Sequence, residues 1–239
     1  WGDILLIRPD PQIIWKSEKK DPRWRSAHAR YKRSSTGGGK WEVYKKLPDV
    51  WKITRGDLTF RLKPMGFKHT GVFPEQAVNW DYTAARIRAA KEKNPEREIK
   101  ILNLFGYTGA ATLACMEAGA TVTHVDASKG MVQWARENAA ASNLAERPVR
   151  WLVDDCVKFV QREIRRGNHY DGIIMDPPSF ILNSYTTGLS PSVMAYLLGV
   201  LLRPKFGGYV SADEIGLSVT ETGLVLPCGS TAIWSGEPV

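Results

Sequence analysis

Four short stretches hold the residues that could do chemistry, and each begins where an apolar run stops. Ile101-Leu-Asn-Leu104 gives way through Phe105 to Gly106-Tyr-Thr-Gly109, a turn whose glycines let backbone approach a ligand and whose end opens a helix. Twenty residues past Gly106, Asp126 ends a second run, where a carboxylate can accept from both hydroxyls of a ribose. Asp154-Asp155 end a third. Asp155 is the better candidate to take an adenine amino group, with Asp154 a solvent-facing neighbour. The fourth run ends in Asp176-Pro177-Pro178-Ser179-Phe180. Two successive prolines lack backbone donors and fix the chain, so Asp176 and the nearby carbonyls offer acceptors only. Acceptors suit a base edge bearing an N–H, and Phe180 can stack on a flipped or single-stranded base.

The first turn has two spaced glycines and lacks the G-x-G-x-x-G fingerprint of a pyrophosphate site. A glycine turn followed by an acid is shared with NAD and flavin enzymes. The looser version favours a cofactor without phosphates, S-adenosylmethionine. The expected chemistry is methyl transfer from its sulfonium to a planar nitrogenous substrate, with positioning supplying most of the catalysis. The competing mechanism is a cysteine nucleophile, as used at cytosine C5. Cys115 lies in an apolar helical stretch, Cys156 follows the presumed adenine acid, and Cys228 lies near the end; none follows the proline pair. His28, His69, His124 and His169 are too dispersed to argue a metal site, and no metal is expected. His69 is expected to make a structural hydrogen bond, Trp134 to pack in the core, and Gly119 and Gly130 to cap or pack helices.

These residues need a frame, and the hydrophobic period supplies one. Helical spacing of Ala77, Trp80, Ala84 and Ile87 predicts a helix over 75–93. Strands at 99–104, 121–125, 149–153 and 171–175 then alternate with helices at 109–118, 128–141 and 155–166, with Ser128 an N-cap and Val157, Val160 and Ile164 on one face. That alternation predicts a parallel sheet covered by helices on both faces. Ile181–Tyr185 looks like a fifth strand, yet parallel neighbours need a crossover of roughly a dozen residues. A missing segment between 180 and 181 is expected, and the start at Trp1 suggests residues absent there too. Beyond it we expect a helix near 190–202 and strands at 208–211 and 223–226, closing the sheet as an antiparallel hairpin. Upstream, residues 1–70 predict a small, mostly β domain with runs at 4–7, 13–15, 41–44 and 58–62. A flexible basic loop, Arg30–Lys40, divides them.

The charge is uneven. Residues 1–70 carry 17 Lys and Arg against 7 Asp and Glu, and the remainder 16 against 18, so the whole +8 lies in the first third. Trp1, Trp15, Trp24, Trp41 and Trp51 lie there as well. Basic side chains interleaved with aromatics suit a polyanion with stackable bases, against the plainer alternative of a solvated surface. The longest apolar run, Val193–Leu202, is too short to cross a bilayer, and no signal peptide opens the chain. Three scattered cysteines suggest reduced thiols in the cytosol.

Residues 66–239 resemble the bacterial large-subunit ribosomal RNA methyltransferase family, with its cytosine-C5 and guanine-N7 branches. The resemblance rests on His69-Thr-Gly-Val-Phe-Pro-Glu-Gln76, Asn103–Gly109, His124-Val-Asp-Ala-Ser128, Asp154-Asp155, Asp176–Phe180 and Asn183–Leu189. It implies a seven-stranded, Rossmann-like class I methyltransferase domain over 71–239, preceded by the small β domain over 1–70. It also implies cofactor contacts from Phe73, Gln76, Gly106, Tyr107, Asp126, Ser128 and Asp155. Thr108 and Gly109 of the turn, with Ala127 and Cys156 beside the two acids, join the candidate set. Asp176, Pro177 and Phe180 form the candidate transfer site, Asp176 also facing the cofactor. Two departures matter. Tyr185 stands where the cytosine-C5 branch carries its nucleophile, and Pro74-Glu75-Gln76 replaces the usual Leu-Asp-Gln. The expectation is therefore a methyltransferase of RNA, first of a guanine nitrogen in ribosomal RNA. The alternatives are transfer to a small molecule or a protein side chain, and a non-catalytic RNA-binding module.

Overall fold

Burial on both faces marks the central strands, Lys100–Leu104, Thr121–Asp126 and Gly172–Met175. The computed structural model describes residues 1–9, 13, 16, 18–35, 38–176, 218–220, 223–225 and 231–234. They divide into two compact units, Trp1–Val72 and Phe73–Val239.

In the first unit, β1 (Leu6–Ile7) runs parallel to β2 (Ala29–Arg33), which pairs antiparallel with β3 (Gly39–Val43); β4 (Trp51–Arg55) and β5 (Leu58–Leu62) form a second hairpin. β5 matches the sequence expectation, but the basic segment Arg30–Lys40 is not wholly a loop. Its two ends are strands. Ala29 and Tyr31 point inward while Arg30 and Lys32 point out, so a period of two was present beneath the charge. The Tyr31 ring meets Trp41 edge-on at 5.4 Å, and Trp41 Nε1 donates to the Met65 carbonyl at 2.9 Å. β4 was not foreseen, and no strand forms at Ile13, an exposed residue.

In the second unit, a 3₁₀ turn at Pro74–Gln76 leads into α1 (Ala77–Lys93), which buries Trp80, Thr83, Ala84 and Ile87. Then follow β6 (Lys100–Leu104), α2 (Ala110–Glu117), β7 (Thr121–Asp126), α3 (Lys129–Ala141), β8 (Val149–Val153), α4 (Cys156–Arg165) and β9 (Gly172–Met175). Strands β9, β6, β7 and β8 lie side by side in that order and are all parallel. Successive residues face opposite sides. Leu102, Leu104, Val125 and Ile173 pack on Phe159 and Val160 of α4, whereas Asn103 and His124 face Thr112 of α2. Burying Phe159 and Val160 stabilises the α4 side by about 1.5–3 kcal/mol each.

The end of the sheet departs from expectation. Among the described residues, β10 (Ser218–Thr220) and β11 (Gly223–Val225) pair antiparallel with each other in a separate two-stranded sheet. The strand that extends the main sheet is instead β12 (Thr231–Trp234), antiparallel to β9 with Thr231 opposite Met175. Five of the seven expected strands are thus described in this sheet. The expected elements at 181–185, 190–202 and 208–211, and the break after Phe180, lie outside the described residues. Among those described, no helix is long and apolar enough to cross a membrane.

Candidate active site

Because β6, β7, β8 and β9 are parallel, their carboxyl ends share one rim, and every candidate run ends there. The strand order reverses at β6, so the turn after β6 sits at the topological switch point, where ligands of open α/β sheets bind. That turn is conformationally unusual. Phe105, Tyr107 and Gly109 all have left-handed backbone, with φ of 55°, 51° and 86°. Gly106 N donates to the Val125 carbonyl at 3.0 Å, and Gly109 N to the Gly106 carbonyl at 2.9 Å. A Cβ on Gly109 would lie 2.8 Å from that of Ala135, so close packing on α3 requires glycine there as well.

Asp126 is the hub of the rim. Its Oδ2 accepts from Tyr107 N at 2.9 Å and its Oδ1 from Ser128 N at 2.8 Å, so one carboxylate fixes both neighbouring turns. Each oxygen keeps a lone pair for a ligand hydroxyl. Ala127 and Ser128 are exposed beside it, and the Ser128 hydroxyl caps α3 by accepting from Met131 N at 3.4 Å. Asp155, also exposed, caps α4 by accepting from Lys158 N at 2.9 Å. Asp154 is ion-paired with Arg162. The Phe73 ring lies 5.3 Å from that of Tyr107, which brings the 3₁₀ turn to the same rim, and Gln76 accepts from Asn79 at 2.7 Å.

Asp176 follows β9 directly and stands on this rim with Asp126. Part of its side chain reaches solvent, yet burial by surrounding atoms, and then the negative charge of Glu75, push its pKa up to about 6. Glu75 was not foreseen as part of the site. Its signal was available in Pro74-Glu75-Gln76, where it keeps the carboxylate of the replaced Asp one methylene further out. Pro177 and Phe180 lie outside the described residues. Asp171, which opens the same stretch, is at the opposite rim, buried and held by Arg97 at 2.5 Å and Lys100 N at 2.8 Å.

Other candidates face inward. Thr108 is buried with its carbonyl accepting from Asn138, and Gly109 lies under the turn. Cys156 is buried, accepts from Phe105 N at 3.3 Å and donates toward the Val125 carbonyl at 3.7 Å. Burial pushes its thiol up to about 12, so it is a neutral thiol and no nucleophile at physiological pH. Burial likewise raises Cys115. Cys228 lies outside the described residues. Among the described residues, no group of three or more His, Cys, Asp or Glu could hold a metal ion.

The rim therefore gathers Glu75, Asp126, Asp155 and Asp176 around a turn with no phosphate-binding fingerprint. A set rich in acceptors and negative charge suits hydroxyls, an amine and a sulfonium, and repels a pyrophosphate. Comparison with known proteins agrees: the family profile described as S-adenosylmethionine-dependent methyltransferase matches residues 16–207. The chain belongs to that family. Its cofactor is S-adenosylmethionine, and the acidic rim fits it. Similar proteins include the ribosomal RNA large subunit methyltransferase K/L of Desulfotalea psychrophila, 29% identical over 179 residues, covering 74% of this chain and 21% of the relative. That of Pseudoalteromonas atlantica is 30% identical over 145 residues, covering 60% and 19%. This methyltransferase thus spans about a fifth of the length of these curated relatives. Among solved structures, a SAM-dependent methyltransferase from Agrobacterium tumefaciens is 35% identical with a TM-score of 0.75, covering 86% of this chain and 65% of that one.

Proposed function

We propose that this methyltransferase acts on RNA, at a base nitrogen of ribosomal RNA, with guanine the first candidate. The observation that carries the proposal is the division of charge: the methyl-transfer rim is acidic, while the entire positive surplus belongs to the other unit. There, Trp24, Tyr44 and Phe67 are exposed among Arg23, Arg25, Lys45 and Lys68, a mixture that holds phosphates and stacks bases. The names of the relatives, which act on large-subunit ribosomal RNA, support the same substrate class.

In this proposal Asp126, Asp155, Phe73, Gln76 and the turn Gly106–Gly109 hold the cofactor. Bound, it supplies an electrophilic methyl group on a positively charged sulfur. Asp176 accepts a hydrogen bond from the acceptor base, Pro177 stiffens the edge that carries it, and Phe180 stacks on the ring. Aligning the nitrogen with the methyl group is the main catalytic contribution, because no covalent intermediate with the protein is needed. The reaction belongs in the cytosol, where its RNA is.

Mass spectrometry of modified nucleosides in ribosomal RNA, from cells with and without the gene, tests this. Loss of one methylated nucleoside is expected. An unchanged set, from a protein that still binds cofactor, would turn the substrate toward a small molecule or a protein side chain.

A further inference from the structure

The glycine that opens the cofactor turn has a histidine behind it. A Cβ added at Gly106 would overlap Cε1 of His124 and lie 2.5 Å from Nδ1 and 3.0 Å from Nε2. The imidazole edge therefore fills the volume that any side chain at 106 would need. The ring is fully buried, with Trp151 5.0 Å away. Its Nδ1 lies 2.9 Å from Thr112 Oγ1, which also accepts from Asn103 Nδ2 at 2.8 Å, and all three side chains are buried.

The placement of these residues is what gives them a role. Asn103 is on β6, the strand that enters the turn; Thr112 is on α2, the helix that leaves it; His124 is on β7, the strand behind it. Two residues beyond His124, Asp126 holds the turn through Tyr107 N. A turn with left-handed backbone at Phe105 and Tyr107 persists only where its surroundings over-determine it. The buried network supplies that constraint from the core side, as the carboxylate does from the rim. It also retains a polar ring whose Nε2 has no partner among the described residues, a cost that an apolar side chain would avoid.

We infer that Asn103, Thr112 and His124 are positioning residues for the cofactor turn, and that position 106 is glycine because of the imidazole behind it. The network holds the turn at the height where Tyr107 N reaches Asp126, before any ligand arrives. Burial keeps His124 neutral, its pKa pushed down to about 3, so the support does not change with physiological pH.

A double-mutant cycle read by calorimetric binding of S-adenosylhomocysteine decides the point. Gly106→Ala alone should weaken binding about tenfold, and the same change in a His124→Ala background should cost less than about threefold. Equal losses in both backgrounds would assign Gly106 to the ligand side and overturn the inference. Thr112→Val and Thr112→Ser, which alter volume little, guard against a failure to fold. Thr112→Val should weaken binding about tenfold, and Thr112→Ser, which keeps the hydroxyl, should restore it. A lowered melting temperature in Thr112→Val with unchanged affinity would reduce the network to ordinary core structure and sink the proposal.

Discussion

Two carboxylates on one rim do different work because their surroundings differ. Asp126 is locked by two backbone donors, so it fixes the geometry of both neighbouring turns beside the binding role proposed for it. Asp126→Ala removes both bonds, and it should weaken cofactor binding by about 1–3 kcal/mol as measured by calorimetry. Asp176 has no such anchoring among the described residues, and burial and the Glu75 charge hold it near 6, above the ordinary 3.8. The folded protein therefore keeps a proton through this window that the unfolded chain has released. Folding draws a contribution from this group at low pH and loses it as pH rises through about 6. Transfer should behave oppositely, since the ionised carboxylate accepts a hydrogen bond more strongly than the neutral acid: the rate should rise with pH through about 6. In Glu75→Gln that limb should move to lower pH, because one of the two causes is gone. A limb that stays put in pH–rate profiles would remove Glu75 from the site.

At the scale of elements, α4 carries a buried acid far from any chemistry. Glu163 accepts from Tyr170 at 2.7 Å, Asn168 at 2.9 Å and Arg166 at 3.1 Å, binding the helix to the segment that leads into β9. Burial alone would raise its pKa, but these three bonds outweigh it and hold the carboxyl below the ordinary 4.5. Its contribution to stability is thus fully present above pH 4.5 and fades as acid titrates it. Glu163→Ala should cost about 2–4 kcal/mol in denaturant unfolding at neutral pH, by stranding the buried Tyr170 hydroxyl and its fellow donors. The elements from α1 to β9 were legible because apolar residues recur with the periods of helices and doubly buried strands. β2 was not, because Arg30, Lys32 and Arg33 alternate with only two buried side chains, Ala29 and Tyr31. β12 was missed because its four residues gain a place in the sheet only from a partner 56 to 62 positions back, a pairing no local period reveals. The network behind Gly106 was hidden for the same reason: its members are nine and twelve residues apart, and only the sheet brings them together.

For the molecule as a whole, the positive surplus and the proposed transfer site belong to separate units, and that makes them separable by experiment. Lys32 and Lys40 stand directly opposite each other in the β2–β3 pairing. Lys32 is ion-paired with Glu42 at 2.6 Å, which relieves the repulsion and leaves a net positive charge on this face for the phosphates of the proposed substrate. On the proposed RNA substrate, reversing both to Glu should lower RNA affinity and reduce the slope of log affinity against log salt by about 1–2. Cofactor affinity should not change. Anisotropy titrations across a range of salt check the first outcome and calorimetry the second; an unaltered slope would take the phosphates elsewhere.

The antiparallel union of β12 with β9 has a consequence for how the chain is made. β9 presents Asp176, yet the strand pairing with its outer edge comes from residues 231–234, 56 to 62 positions further along the chain and so made well after it. Until they emerge, a growing chain carries a half-dressed strand with open backbone donors and acceptors, the kind of edge that recruits other chains. Premature termination upstream of Thr231 would spare every residue proposed to hold the cofactor but remove the strand that pairs with β9. Such fragments should clump or be degraded rather than accumulate as cofactor-binding decoys.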